Sequence, residues 1–167
     1  MKKSYSSQIK TYTVEEATAR MEQYCAYRER CHKEVNEKLV EMRMVPEARD
    51  YIIDHLLRHD FLNETRFSQA FARGKFRIKK WGKIRIVREL KLRDISPYNI
   101  QIALKEIPQE AYLETFDTLF KKRLKALENE DNKAKKRQKL ASYLFYRGWE
   151  SELVYEAIRE AFKNDEG

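Results

Sequence analysis

The feature that most constrains this chain is a pattern repeated three times. Aligned on a leucine, three segments read LVEMRMVPE from Leu39, LKLRDISPY from Leu90 and LFYRGWESE from Leu144. In each, an apolar residue follows five places later (Met44, Ile95, Trp149), and a helix-start signal follows within one or two more. Pro46 suits a first helical position, Ser96 is an N-cap with Pro97 at that first position, and Ser151 reads as a further N-cap. Another apolar residue lies fourteen places after each leucine: Ile53, Leu104 and Ile158. The leucines are 51 and 54 residues apart. A self-similar period of about 50 residues points to a repeat architecture.

Each unit resolves into three helices. The pattern predicts helices at 14–29, 32–43 and 46–59, then 64–78, 83–93 and 97–106, then 110–128, 133–147 and 152–164. The expected fold is all-α, with three tandem three-helix, helix-turn-helix-like repeats in an elongated curved array. A flexible N-terminal tail is expected at 1–12, and repeats at 13–60, 61–107 and 108–167. Thr13 and Glu16 offer a capping box for the first helix, whose apolar positions Ala17, Met21, Tyr24 and Cys25 recur at helical spacing. The second and third helices of each unit meet at a tight turn, with Met44, Ile95 or Trp149 plugging the corner. One such unit has too little core to stand alone, so neighbours are expected to share an interface.

Composition agrees. Only four Gly and three Pro are present in 167 residues, too few for the turns of a sheet protein this long. Charged residues reach 37%, above the roughly 25% of a typical soluble domain. Net charge is +8, which suits nucleic acid, an anionic membrane or an acidic protein face without choosing among them. The start MKKSYSSQIK has no apolar stretch behind its lysines, and no run approaches the roughly 20 apolar residues of a membrane span. A soluble, cytoplasmic protein with no membrane association is expected. Cys25 and Cys31 are the only cysteines and are expected to be free thiols.

Four segments in order, RERCHKEVNEKL at 28–39, DFLNETRFSQAFA at 60–72, WGKIRIVRELKLRDI at 81–95 and KLASYLFYRGW at 139–149, resemble segments of the RecX family. The first is similar to a family helix that opens with Arg, Ser, two variable residues and Glu. The second is similar to a segment with paired Asp before Arg-Phe-Ala. The third carries Gly82, Ile86, Glu89, Leu90 and Ile95 in their places, and the fourth carries Arg147 and Gly148. The chain departs from the family at Cys31 (for Ser) and at Asn63 and Glu64 (for paired Asp). Arg43 and Asp94 replace the corner Gly of many members, which predicts a different turn at two of the three corners. The resemblance covers about 28–162. It implies a regulator, not an enzyme, that binds RecA recombinase filaments and modulates them, hindering their ATPase and strand exchange or promoting filament loss. Single-stranded DNA is a second candidate partner, no cofactor is implied, and an unpaired repeat body is expected to be monomeric.

The candidate contact face is the stretch Arg73, Lys75, Arg77, Lys79, Lys80, Lys83, Arg85, Arg88, Lys91 and Arg93, against the single acid Glu89. On its second helix Ile84, Ile86 and Leu90 are read as facing inward. The stretch fits DNA phosphates or the acidic residues of a filament groove; the plainer reading is a solvated face balanced by acids elsewhere. A second run holds Lys121, Lys122, Arg123, Lys125, Lys133, Lys135, Lys136, Arg137 and Lys139, interrupted by Glu128, Glu130 and Asp131. Charged helix ends would look the same. His55 and His59 stand four apart on a helix, but with no third ligand and no HExxH pattern no metal is expected. Phe67, Phe71, Phe116, Phe120, Trp149 and Tyr155 fall at spacings that favour core. No Gly-rich phosphate loop or catalytic constellation is present. The alternatives to a filament regulator are a sequence-independent DNA-binding protein and an adaptor for some other acidic protein; binding to recombinase-free DNA separates them.

Overall fold

Helix-start chemistry accounts for where each element begins. The computed structural model describes residues 10–163, and among these the elements are α1 (Val14–Tyr27), α2 (His32–Glu41), α3 (Pro46–Arg58), α4 (Glu64–Lys79), α5 (Lys83–Lys91), α6 (Pro97–Leu104), α7 (Gln109–Ala126), α8 (Lys133–Tyr146) and α9 (Ser151–Ala161), with no strand. Every bound lies within three residues of the sequence reading. The tail expected at 1–12 lies outside the described residues as far as residue 9; Lys10–Thr13 is irregular.

The capping box at α1 forms: Thr13 Oγ1 accepts from the Glu16 N–H at 3.1 Å, and Glu16 Oε2 accepts from the Thr13 N–H at 3.0 Å. At α2, Glu34 Oε2 accepts the Cys31 N–H at 3.2 Å, so the carboxylate arm survives the replacement of the usual Ser. Asn63, Ser96 and Asn132 each accept the N–H three residues on, at 3.0, 3.2 and 3.0 Å. Ser151 is not the cap expected of it. Glu150 holds that position with extended backbone, its carboxylate anchored by the Tyr112 hydroxyl at 2.6 Å, and Ser151 enters the first turn.

All three corners use one turn, which corrects the expectation that two would differ. Leu39, Leu90 and Leu144 are fully buried, and their carbonyls accept from Met44, Ile95 and Trp149 N–H at 3.0, 3.2 and 3.2 Å. The residue before each plug, Arg43, Asp94 or Gly148, donates to Val40, Lys91 or Phe145 at 2.9, 3.0 and 2.9 Å. This is the Schellman pattern, which needs a left-handed residue. Arg43, Asp94 and Gly148 supply it at φ 60°, 58° and 84°. A fourth such turn, unforeseen from sequence, joins α3 to α4: Asp60 has φ 56°, and Phe61 N–H reaches the Leu56 carbonyl at 2.9 Å.

The chain divides into two compact units, one ending at Phe67 and the other starting at Ser68. In the first, α1 and α2 both pack on α3, around a core of Ala17, Met21, Cys25, Val35, Leu39, Ile52 and Leu56. Both cysteines are buried free thiols. Burial pushes the Cys25 thiol up to about 11 and raises that of Cys31.

In the second unit α7 packs on α8, α8 on α9 and α5 on α6. The Trp149 ring lies 4.5 Å from Tyr112 and 5.3 Å from Phe116, and Tyr112 lies 5.9 Å from Phe76. Three of the first N–H groups of α5, which have no partner within their own helix, are taken up by the third repeat. Gly82 donates to the Arg147 carbonyl at 2.8 Å, Lys83 to Tyr112 Oη at 2.9 Å, and Ile84 to the Gly148 carbonyl at 3.1 Å. A β-carbon at Gly82 would collide with the Gly148 carbonyl, and one at Gly148 would collide with Arg85. Phe67, Phe116, Phe120 and Trp149 are buried as expected. Phe71 is only half-buried, and Tyr155 is exposed. The buried stripe of α9 is Val154 and Ile158, and the residue after Val154 points about 100° away from it.

Candidate partner-binding surface

The structure sorts the basic stretch on α4 and α5 into three chemical groups. Arg73 and Arg93 are ion-paired, with Glu106 at 2.7 Å and Glu89 at 3.0 Å. Lys75, Lys83 and Arg85 lie over aromatic rings. Lys75 Nζ is 4.9 Å from the Trp81 centroid, Lys83 Nζ is 4.4 Å from that of Tyr112, and the Arg85 guanidinium lies 4.1 Å from Trp81 and 4.8 Å from Tyr146. Arg85 also donates to the Tyr146 carbonyl at 3.0 Å, which ties α5 to the end of α8. Arg77, Lys79, Lys80, Arg88 and Lys91 are exposed and make no ion pair among the described residues. These five keep their charge available. The ion-paired residues would have to break an existing contact to bind anything else.

Part of this set comes together in a groove of about 560 Å3 along α5, lined by Lys83, Ile84, Val87, Arg88, Lys91 and Leu92. Ile84 and Leu92 are 52% and 59% exposed, so the groove has an apolar floor beside three cations. The inward reading of Ile84 is corrected here. Ile86 and Leu90 form the fully buried stripe, and a residue two places before Ile86 points about 200° away from it. Charge density gave no sign of Ile84 and Leu92 as part of a surface; their helical angle, about 200° from Ile86 and Leu90, is the signal that could have found them.

The second basic run is more heavily committed. Lys121 pairs with Asp117 at 2.6 Å, and Lys139 pairs with Glu130, whose carboxyl it holds below the usual range. Arg123 and Arg147 both lie on the Tyr143 ring, at 5.0 and 3.8 Å, and Arg137 lies on Phe162 at 4.9 Å. Lys122, Lys125 and Lys135 are exposed and Lys136 is half-buried.

The His55 and His59 rings are 4.2 Å apart, yet one nitrogen of each is engaged elsewhere. His55 Nε2 meets Glu22 at 2.7 Å, and His59 Nδ1 meets the His55 carbonyl at 2.9 Å. No group of three candidate metal ligands occurs among the described residues. No helix there is long and apolar enough to cross a membrane.

Two family models match this chain: the second three-helix domain of RecX over 63–104 and the third over 110–158, together more than half of its length. The chain belongs to the RecX family. A RecX-family relative described as regulatory protein RecX, from Bacillus pumilus, is 28% identical over 145 residues, covering 86% of this chain and 54% of the relative. Another, from Listeria monocytogenes, is 29% identical over 140 residues, covering 83% and 51%. This chain thus spans about half the length of these curated relatives. Among solved structures, a crystal structure of regulatory protein RecX superposes with a TM-score of 0.77 at 23% identity, covering 88% of this chain and 73% of that one. The RecX structure from Lactobacillus salivarius gives 0.75 at 20% identity, with 88% and 95% covered. At that identity the likeness establishes a shared RecX fold.

Proposed function

We propose that this chain is a non-enzymatic regulator of RecA recombinase filaments, working in the cytoplasm as a monomer. The observation that carries the reading is the α5 groove, where exposed Ile84 and Leu92 lie beside Lys83, Arg88 and Lys91 with no carboxylate in the lining. Such a surface suits a protein face bearing acidic and apolar groups, since the cations steer the encounter and the apolar floor supplies area. Repeats at 13–60, 61–107 and 108–167 would each add a weak contact along the filament, giving avidity without a deep pocket. Occupying the filament in this way hinders ATP hydrolysis and strand exchange by steric and electrostatic means.

The second reading, sequence-independent DNA binding, is favoured by exposed Arg77, Lys79 and Lys80, a cluster suited to phosphates. The test is RecA ATPase on single-stranded DNA while the protein is titrated in, with co-sedimentation on naked and RecA-coated DNA. The double variant Arg88→Glu, Lys91→Glu should weaken filament binding by about tenfold or more, equivalent to roughly 1.4 kcal/mol, with helix content unchanged. Arg85 is a poor choice for this test because its stacking on Trp81 and Tyr146 is structural. Unaltered filament binding removes the groove from the mechanism. Equal binding to naked and coated DNA, with inhibition only at saturation, favours the second reading.

A further inference from the structure

The first unit carries a cavity that no run of basic residues in the sequence announces. Its volume is about 660 Å3, and its lining combines five cations with a single carboxylate, Glu41. That carboxylate is already held by Lys38 at 2.7 Å. Arg20, Arg30 and Arg43 come from α1, the α1–α2 link and the α2–α3 corner, and none has an acidic partner among the described residues.

Arg30 is the central group. It is 7% exposed, and a guanidinium so deeply placed is normally ion-paired. The acids beside it are used elsewhere: Glu29 by Arg66, and Glu34 by Arg28 at 3.9 Å and the Cys31 N–H. Arg30 Nε donates to the Tyr24 carbonyl at 3.3 Å, and the guanidinium lies 3.6 Å from the centroid of the Tyr24 ring. The ring and the carbonyl fix its plane, and its η nitrogens carry no hydrogen bond among the described residues while the residue lines the cavity. A fixed fork of unused donors is what a phosphate or carboxylate takes in two-point fashion.

Arg43 brings a further guanidinium to the cavity from a different element, exposed and with no acidic partner among the described residues, where the third repeat has Gly148. Tyr27, 86% exposed at the cavity edge, offers an uncovered aromatic face, and Arg20 is stacked on Tyr12 at 4.8 Å.

We propose that this cavity is a nucleotide site, in which Arg30, Arg20 and Arg43 hold the phosphate and Tyr27 stacks the base. The shared chemistry is a phosphate joined to a planar heterocycle, either as a free nucleotide or as one unit of a single strand. The combination of cations with an open tyrosine face favours a nucleotide over an acidic peptide, because every base offers a stacking surface and a Glu or Asp side chain offers none. The site does not depend on the α5 groove, and its test contains no RecA, so its failure leaves the filament reading untouched.

The experiment is calorimetric titration of the full chain with dAMP, with inorganic phosphate and with oligothymidylate, run beside Arg20→Gln, Arg43→Gly and Tyr27→Ala. All three positions are exposed, so the variants should fold. Arg20→Gln with Arg43→Gly should cut dAMP or oligothymidylate affinity about tenfold or more, and Tyr27→Ala should weaken both nucleotide probes while leaving phosphate binding unchanged. Binding of dAMP identifies a free-nucleotide site; binding of the oligomer alone identifies a strand site; both support the proposal. It is overturned if the arginine variants bind every probe like the parent, or if a poly-glutamate peptide binds through the same residues more tightly than either nucleotide probe.

Discussion

The corners of the first and third repeats share one backbone and put it to opposite uses. Both close with the same pair of hydrogen bonds, and both require a left-handed residue. In the third repeat that residue is Gly148, and the space a side chain would fill is occupied by the start of α5. In the first repeat it is Arg43, exposed at the cavity mouth. The sequence therefore has freedom at a Schellman corner only when nothing docks on it. Where a repeat docks, glycine is compulsory; where none does, the corner can carry a charge at a modest cost in strain.

The largest effect should come from filling the docked corner. Gly148→Ala forces an L side chain into φ 84° and into Arg85, combining roughly 1–2 kcal/mol of conformational strain with about 1–3 kcal/mol of overpacking. A loss of about 3 kcal/mol in urea unfolding is expected. Gly82→Ala meets the same corner from the other side, so the double variant should lose less than the sum of the two. Gly74→Ala is the control. Nothing lies within 4 Å of its added carbon, and inside α4 the change should stabilise by about 0.5–1 kcal/mol. A mild Gly148→Ala would mean that α5 does not depend on this contact.

Next comes Tyr112→Phe. The hydroxyl accepts the Lys83 N–H and donates to Glu150, and the residue is 2% exposed. Burial, followed by the bond to Glu150, raises its phenol well above the usual value, so it keeps its proton. Removing it leaves both partners short of a hydrogen bond, for about 1–3 kcal/mol. A wild-type melting temperature would show that water replaces it.

The first unit answers to pH at its own core. Folding raises the Cys25 thiol from 9.0 to about 11. Between those values the unfolded chain has lost the proton and the folded chain has kept it. Stability therefore falls as pH rises from 9, by up to about 1.4 kcal/mol per pH unit for this one group. Cys25→Ala should flatten that alkaline slope whatever its effect on stability at pH 7; an unchanged slope would assign the loss to other groups.

Helix bounds and corners were legible because both follow from local rules: caps, prolines and an apolar residue five places after a buried leucine. The turn at Arg43 and Asp94 was misread because a left-handed residue was equated with glycine, although the two carbonyl bonds tolerate any residue that can bear the strain. The candidate surfaces were legible only in part. Local density of Lys and Arg drew attention to 73–93, where five of ten cations are paired or stacked. The cavity cations Arg20, Arg30 and Arg43 are scattered along the chain and come together only when α1, the α1–α2 link and the α2–α3 corner assemble. Free charge is a tertiary property, decided by which carboxylates and rings each cation meets.

The smallest expected effect is the one that most sharpens the comparison of corners. Arg43→Gly relieves roughly 1–2 kcal/mol of left-handed strain and costs about 0.5–1 kcal/mol in added freedom of the unfolded chain. Since Arg43 is exposed and makes no ion pair among the described residues, little packing is lost. The strain term wins, and a gain of about 0.5 kcal/mol is expected in urea unfolding, opposite in sign to Gly148→Ala. Arg43→Ala, which keeps the strain and removes the charge, should show no gain. If Arg43→Gly is instead destabilising, the side chain contributes to the fold itself, and the contrast between a docked corner and a free one is lost. If it stabilises while nucleotide binding falls, Arg43 is kept at a cost to stability, as a residue retained for its charge must be.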